Sequence, residues 1–174
     1  MKALQLQGKD KPPVYLELDD PVPAAGEAVV RLSAAALNHR DVWIMRGMYP
    51  HIAFPAVPGS DGAGTVEALG ADTDSAWLGA DVIINPGIGW GADRRIQSKD
   101  FHILGMPRDG TLAELVSVPV ANLHRKPAHL SALQAAALPL AGVTAWRVLT
   151  TRAGLRDGDT VLITGIGGGV ALTA

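Results

Sequence analysis

Residues 1–125 carry short runs in which apolar and polar positions alternate, a pattern that predicts β-strands. The longest run, Glu27 to Ala35, follows the turn formed by Pro23-Ala24-Ala25-Gly26. Glycine and proline separate the runs at spacings typical of a β-barrel or a sandwich. The other predicted strands are Lys2 to Gln7, Val14 to Leu18, Gly64 to Leu69, Ala80 to Asn85 and Leu112 to Val118.

Two stretches depart from this strand pattern. Asn38 to Arg46 has the spacing of a short helix that ends at Gly47. Residues 86–110 are polar and irregular, without a clear period. We therefore expect one helix inside the β-rich region and one long loop.

Helical patterns follow Lys126. Ser131 and Gln134 match a capping box at the start of an alanine-rich helix that reaches about Ala137. Pro139 separates this helix from a second one, predicted over Ala141 to Ala153.

The last fifteen residues contain a strand pattern followed by a glycine-rich turn. Thr160 to Thr164 is apolar and rich in β-branched residues, which predicts a strand. A strand, a glycine loop and small apolar residues are typical of the start of a dinucleotide-binding βαβ unit. Such a unit needs about 30 residues, so we expect the chain to be truncated within it. The predicted cofactor-binding residues of the loop are Gly165, Gly167, Gly168, Gly169 and Val170.

Composition narrows the classes of partner. The 174 residues carry a formal net charge of −2 and no basic run, which argues against nucleic acid and anionic membrane surfaces. The uncharged stretch Pro127 to Trp146 contains polar residues, proline and glycine, so we expect two helices rather than a membrane span. There is no cysteine, which excludes disulfides and cysteine-ligated zinc and suits a cytoplasmic protein.

Five segments together resemble the medium-chain dehydrogenase/reductase superfamily. They occur in the family's order and read ALNHRD (36–41), PGSDGAGTV (58–66), DGTLAE (109–114), LPLAGVTA (138–145) and GDTVLITG (158–165). The resemblance implies a mostly β fold with some α: a GroES-like β-barrel catalytic domain over residues 1–126. Residues 127–174 would then hold the linking helices and the first strand and loop of an NAD(P)-binding Rossmann domain.

Within that family, zinc-dependent members bind a catalytic metal through residues whose positions match Asn38, Ser60 and, less certainly, Ala141. Amide, hydroxyl and methyl groups do not form the usual zinc shell of nitrogen, sulfur and carboxylate ligands. The loop that carries a structural zinc in relatives lacks cysteine here. We therefore expect no zinc and a similarity to the quinone-oxidoreductase and enoyl-reductase-like branches.

The resemblance implies hydride transfer between NAD(P)H and a small carbonyl, quinone or enone substrate. Without a metal, a hydrogen-bond donor or a cation must stabilise the developing negative charge. Arg40 is the candidate cation, His39 a proton donor or relay, and Asn38 an orienting group. Tyr49 and Asp61 complete the candidate catalytic set, and Thr144 matches a position that contacts the nicotinamide. A homo-oligomer is expected for the full-length parent.

Alternative interpretations remain open for these residues. Asp61 could only anchor a barrel loop, Arg40 could form a structural ion pair, and His39 could be an ordinary surface residue. The choice between NAD and NADP is also open. For the chain as a whole, the alternative is a non-enzymatic GroES-like barrel that acts as a binding or oligomerisation module.

Overall fold

The computed structural model describes all 174 residues. It contains nine strands, four α-helices, two short 3-10 helices and a π-helical segment. The strands are β1 (Lys2–Gln5), β2 (Val14–Glu17), β3 (Glu27–Ala36), β4 (Asp61–Leu69), β5 (Asp81–Ile84), β6 (Gly87–Ile88), β7 (His102–Ile103), β8 (Leu115–Pro119) and β9 (Leu123–Arg125). The helices are α1 (His39–Met45), α2 (Ala132–Ala136), α3 (Pro139–Trp146) and α4 (Gly169–Thr173), and Arg147–Arg152 continues α3 as a π-helix.

A five-stranded antiparallel sheet forms the centre of the molecule, in the order β8-β3-β4-β5-β9. Two-stranded sheets, β1-β2 and β6-β7, flank it, and an isolated bridge joins Ala3 to Ala113. The strands β3 and β4 approach closely at Gly64, where a Cβ atom would lie 2.0 Å from the carbonyl oxygen of Arg31. This glycine is therefore required by the packing of the two longest strands.

The main core lies on one face of this sheet. Alternate residues of the strands point to the same face, so their apolar side chains form one continuous cluster. Ile84, Val30 and Val82 are fully buried in it, together with Leu104 from the loop after β7. On the opposite face, α2 packs its buried Ala135 and Ala136 against Ala63. The helix α2 is thereby tied to the barrel.

Four features differ from the sequence-based predictions. Thr160–Thr164 is not a strand, because no backbone hydrogen bond joins it to any neighbour. The 86–110 region, predicted to be irregular, contains the short strands β6 and β7. The strand β9 was not predicted, and the helix expected from Ala141 begins at Pro139, a residue well suited to the first helical turn.

Burial ends abruptly along the chain. Ala145 is the last buried residue, and none of residues 146–174 is buried. In that stretch Leu162 is 90% exposed and Leu172 is 74% exposed. None of the helices has both the length and the apolar character needed to cross a bilayer.

Candidate active site

The site is built where the N-terminus of α1 meets the start of β4. The residue before α1, Asn38, donates its backbone N–H to the Asp41 carboxylate at 2.8 Å. Asp41 also accepts from the backbone N–H of Gly59 at 3.3 Å. Asp41 therefore joins the helix start to the loop before β4, which is the anchoring role that aspartate commonly has at helix N-termini.

Asp61 joins three elements through its carboxylate. One oxygen accepts from the side-chain amide of Asn38 at 2.9 Å, and the other accepts from the backbone N–H of Leu140 at 2.8 Å. Leu140 lies in the first turn of α3, so this carboxylate connects β4, the start of α1 and the linking helix. The hydrogen bond to the N-terminal turn of α3 satisfies a donor that has no partner within the helix.

Asp61 is only 1% exposed. Burial raises its pKa to about 6, because the charged form loses its hydration. The hydrogen bonds from Asn38 and Leu140 lower the pKa and so limit this rise, while the nearby Asp41 adds to it. A carboxyl group that titrates near neutral pH, at the junction of three elements, is typical of a functional site but also of a buried structural carboxylate.

Arg40 is buried, and its guanidinium faces the protein interior. Its Nη1 donates to the Ser60 hydroxyl at 2.5 Å and to the Leu104 carbonyl oxygen at 2.7 Å. Its Nε donates to the Tyr49 hydroxyl at 3.3 Å, and the guanidinium carbon lies 4.8 Å from the centre of the Tyr49 ring. No carboxylate lies within ion-pair distance of Arg40, so the structural ion pair considered as an alternative does not form.

His39 lies at the exposed edge of this cluster. Its ring stacks on Trp43, one helical turn further along α1, with the ring centroids 5.8 Å apart. The His39 side chain makes no hydrogen bond. The residue is exposed, so its ring is open to solvent or to a ligand on the side away from Trp43.

Thr144 and the glycine loop lie on the α3 side of the site. The Thr144 hydroxyl donates to the Leu140 carbonyl oxygen at 2.7 Å, one turn earlier in α3, and the residue remains exposed. A Cβ atom added at Gly169 would come within 3.5 Å of Ala141 Cβ, so α4 packs closely on α3. At Gly165 the backbone has φ of +68°, a conformation that favours glycine, and a Cβ atom would meet open space.

A cleft of about 700 Å³ runs beside α3 and its π-helical continuation. The 85–103 region forms its other wall. Thr144 and Leu140 line the cleft together with a group of aromatic and basic side chains: Trp90, Arg94, Phe101, Trp146, Arg147 and Arg152. Its volume is in the range of small-molecule sites.

The structure brings Asn38, Asp61, Arg40 and Tyr49 together, with His39 at the margin. Thr144 is linked to this cluster through Leu140, which bonds to both Asp61 and Thr144. Sequence reasoning missed the contact of Ser60 with Arg40. It also missed the basic cleft, because Arg94, Arg147 and Arg152 are distant in sequence and form no motif. The catalytic and cofactor roles of the predicted residues stay predictions.

The donor set does not suit a tetrahedral zinc ion. No group of three or more His, Cys, Asp or Glu side chains is placed to hold a metal. At the positions matched to zinc ligands, the Asn38 amide already bonds to Asp61 and the Ser60 hydroxyl to Arg40. Zinc sites use cysteine thiolate, histidine nitrogen and carboxylate oxygen, and the matched positions Asn38, Ser60 and Ala141 supply none of these.

Comparison with known proteins gives a consistent family. The alcohol dehydrogenase GroES-like domain model matches residues 24–128, which is more than half of the chain. A zinc-type alcohol dehydrogenase-like protein of Leptosphaeria maculans is 38% identical over 87% of this chain and 45% of its own length. An acryloyl-coenzyme A reductase of Metallosphaera sedula is 32% identical over 100% of this chain and 54% of its own length.

A solved structure agrees with these sequence matches. The crystal structure of an NAD-dependent alcohol dehydrogenase superposes with a TM-score of 0.90 and 40% identity, covering 99% of this chain and 53% of that one. The chain therefore spans about half the length of the relatives it matches. The GroES-like barrel, the segments around the Asn38–Asp61 cluster and these similarities lead to one conclusion. The chain belongs to the medium-chain dehydrogenase/reductase superfamily of oxidoreductases, in the alcohol dehydrogenase GroES-like domain family.

Proposed function

We propose that this chain is the substrate-binding half of a nicotinamide-dependent oxidoreductase that transfers a hydride to or from a small carbonyl, quinone or enone without catalytic zinc. One observation carries the proposal. The side chains at two of the positions matched to zinc ligands are used in hydrogen bonds: Asn38 donates to Asp61, and Ser60 accepts from Arg40. Asp61 in turn accepts from the Leu140 N–H of α3. In this proposal these side chains take the place of the metal.

Hydrogen-bond donors replace the Lewis acid in this proposal. Arg40 donates to the oxygens of both Tyr49 and Ser60, so the hydroxyl proton of each is directed elsewhere. Ser60 is fully buried, whereas Tyr49 is half-buried. Tyr49 is therefore the better candidate to donate a proton to the substrate oxygen, with Arg40 holding its hydroxyl in place and supplying positive charge.

Asn38 and Asp61 act as positioning residues in this proposal. Their hydrogen bond, together with the bond from Leu140 to Asp61, fixes α3 against the barrel. That contact sets where Thr144 stands relative to Tyr49. An error of about 1 Å in such a placement costs roughly 100-fold in rate, so the network matters even though it does not touch the reacting atoms.

The residues present suit a nicotinamide cofactor. A bound cofactor would supply or accept the hydride. Thr144 is exposed in the cleft and could contact the nicotinamide, and a Cβ atom at Gly165 or Gly167 would meet open space. The similarity to an NAD-dependent alcohol dehydrogenase supports the same class of cofactor.

Titration of NADH and of NADPH, followed by nicotinamide fluorescence, tests the proposal. We expect saturable binding in the micromolar range that is weakened in Thr144→Val. Arg46→Gln, an exposed substitution on the far end of α1, is the control and should bind as the wild type does. A cofactor-binding preparation is then assayed with an aldehyde, a quinone and an enone in the presence of a chelator, and turnover should persist.

Absence of cofactor binding would favour the second candidate function, a GroES-like barrel that binds or oligomerises without catalysis. The observation behind it is that burial is confined to the barrel and the first part of the linking helices, ending at Ala145. Turnover that the chelator abolishes would contradict the zinc-independent mechanism.

A further inference from the structure

The cleft beside α3 is positively charged, whereas the chain as a whole is slightly negative. Fifteen residues line it, including Arg94, Arg147 and Arg152, and none of the fifteen is Asp or Glu. The chain as a whole has a net charge of −2. Positive charge is therefore concentrated in one concave surface of a slightly acidic protein, where a cleft focuses the field on an anion.

The three guanidiniums are not neutralised by the protein. None of them has a carboxylate within 4.0 Å. The nearby Asp93 pairs with Arg95 instead, at 3.1 Å. The side chains of Arg94 and Arg152 make no hydrogen bond at all, so their donors are available to a ligand.

Arg147 holds the cleft in shape. It donates to the carbonyl oxygens of Arg94 and of Arg95, the latter at 2.9 Å, and its guanidinium lies 4.1 Å from the centre of the Trp90 ring. Trp90 in turn meets Phe101 edge to face, with the ring centroids 4.8 Å apart. These contacts fix the 85–103 region against the π-helical segment. Arg94 and Arg152, which make no side-chain hydrogen bonds, therefore lie on walls whose relative position is already set.

Apolar side chains form much of the remaining lining. Trp90, Phe101 and Trp146 supply flat surfaces, and Val143 and Ile103 supply aliphatic ones. Trp146 is 72% exposed. A ligand that fits therefore needs an anionic group and a flat or aliphatic body.

We propose that this cleft binds the anionic group of the substrate, which is accordingly a carbonyl or enone compound that carries a carboxylate or a phosphate on an apolar body. Arg94 and Arg152 bind the anion, and Trp90 and Trp146 contact the body. Thr144 lines the same cleft, so the reactive end of such a molecule lies on the side of the cleft next to α3. The assignment to a substrate rests on the proposed function, whereas anion binding does not.

Cinnamate and cinnamamide make a matched pair of probes, because they share a flat apolar body and differ in charge. Calorimetric titration of the chain should give an affinity for cinnamate roughly tenfold higher than for cinnamamide, and raising the salt concentration should reduce the difference. Cinnamate should quench tryptophan fluorescence, and Trp146→Phe should reduce that quenching. Equal affinities for the two probes would overturn the proposal.

Arg94→Gln and Arg152→Gln remove charge without removing an internal hydrogen bond. Each should weaken cinnamate binding roughly fivefold and leave cinnamamide binding unchanged. Arg46→Gln removes one exposed arginine outside the cleft and should change neither. If Arg46→Gln lost as much cinnamate affinity as the cleft variants, the loss would follow from the net charge of the protein. The proposed anion site would then be wrong.

A second titration separates a substrate anion from the phosphates of the cofactor, which share the same chemistry. Cinnamate should bind equally well when NADH is saturating. Competitive displacement by NADH would mean that the arginines serve the cofactor phosphates, and the substrate assignment would be wrong. If NADH does not bind at all, both the proposed function and the assignment of the cleft to a substrate are wrong. The existence of the anion site is then tested by the comparison of cinnamate with cinnamamide alone.

Discussion

The sequences of β4 and of Thr160–Thr164 both predict a strand, but only β4 forms one. The strand β4 pairs with β3 on one side and β5 on the other, and Val66 within it is buried. Thr160–Thr164 has no backbone partner, and Leu162 within it is 90% exposed. Strand propensity is realised only where a neighbouring strand accepts the hydrogen bonds and a second layer covers the side chains.

The same contrast applies to the site. Its barrel half, with Arg40 and Asp61, is buried and fully hydrogen-bonded. Its α3 half, with Thr144 and the glycine loop, is mostly exposed and is joined to the barrel at Leu140 and, through Arg147, to the 85–103 region. We therefore expect the barrel half to be rigid, and the position of the α3 half to depend on Asp61.

The largest effect should come from the barrel core. Ile84→Ala removes a fully buried side chain and should lower the free energy of unfolding by about 2–5 kcal/mol. Leu162→Ala removes an exposed side chain and should change it by less than about 0.5 kcal/mol. Urea denaturation measures both. Comparable losses in the two variants would show that residues 146–174 are packed, contrary to the description above.

Two substitutions at Asp61 isolate its role as an acceptor. Both Asp61→Asn and Asp61→Ala remove the buried charge, but only alanine leaves the Leu140 N–H without an acceptor. With asparagine, the Asn38 amide can flip to restore its own hydrogen bond. We expect the alanine variant to be less stable than the asparagine variant by about 2–3 kcal/mol, with faster hydrogen exchange in α3. Asp19→Asn, an exposed substitution, is the control, and equal stability of the two Asp61 variants would contradict the account.

The pH dependence of stability should report the same carboxyl group. Because the pKa of Asp61 in the folded chain is about 6, above its unfolded value, the folded state holds a proton that the unfolded state releases. The free energy of unfolding should therefore fall by about 2 kcal/mol as the pH rises from about 4 to about 6, and then level off. The difference between wild type and Asp61→Asn measures this contribution. If the wild type instead became more stable relative to Asp61→Asn as the pH rose, the hydrogen bonds to Asp61 would lower its pKa by more than burial raises it.

The smallest effect concerns an ion pair on the barrel. Arg108 binds Glu27 with two hydrogen bonds, of 2.7 and 2.9 Å, and lowers the pKa of Glu27 to about 2. Because this pKa is depressed, the stabilisation is present above the unfolded value and is lost as the pH falls through about 2. Arg108→Gln should cost about 1 kcal/mol at neutral pH after solvent screening, and nothing at the acid end. The exposed Arg31 also pairs with a glutamate, and Arg31→Gln should leave stability unchanged.

The sequence alone was sufficient for the family, the barrel and the positions of α1 and α2. Local patterns determine those features, such as the alternation in β3 and the capping box at Ser131. The start of α3 was placed two residues too late, because Pro139 was interpreted as a separator rather than as the first helical residue. It was not sufficient for the partners of Arg40, because Ser60 and Leu104 meet it only through the tertiary fold. The basic cleft escaped prediction for the same reason. Thr160–Thr164 was predicted as a strand because the pattern describes one chain segment, whereas a strand requires two.

The central claim is that hydrogen-bonded side chains stand where relatives of this family place zinc. Calorimetric titration of metal-free protein with Zn²⁺ tests it most directly, with Asp61→Asn and His124→Gln measured alongside. We predict no saturable uptake in the micromolar range or tighter for any of the three proteins. Uptake of one zinc ion per chain that Asp61→Asn abolishes and His124→Gln preserves would contradict the account.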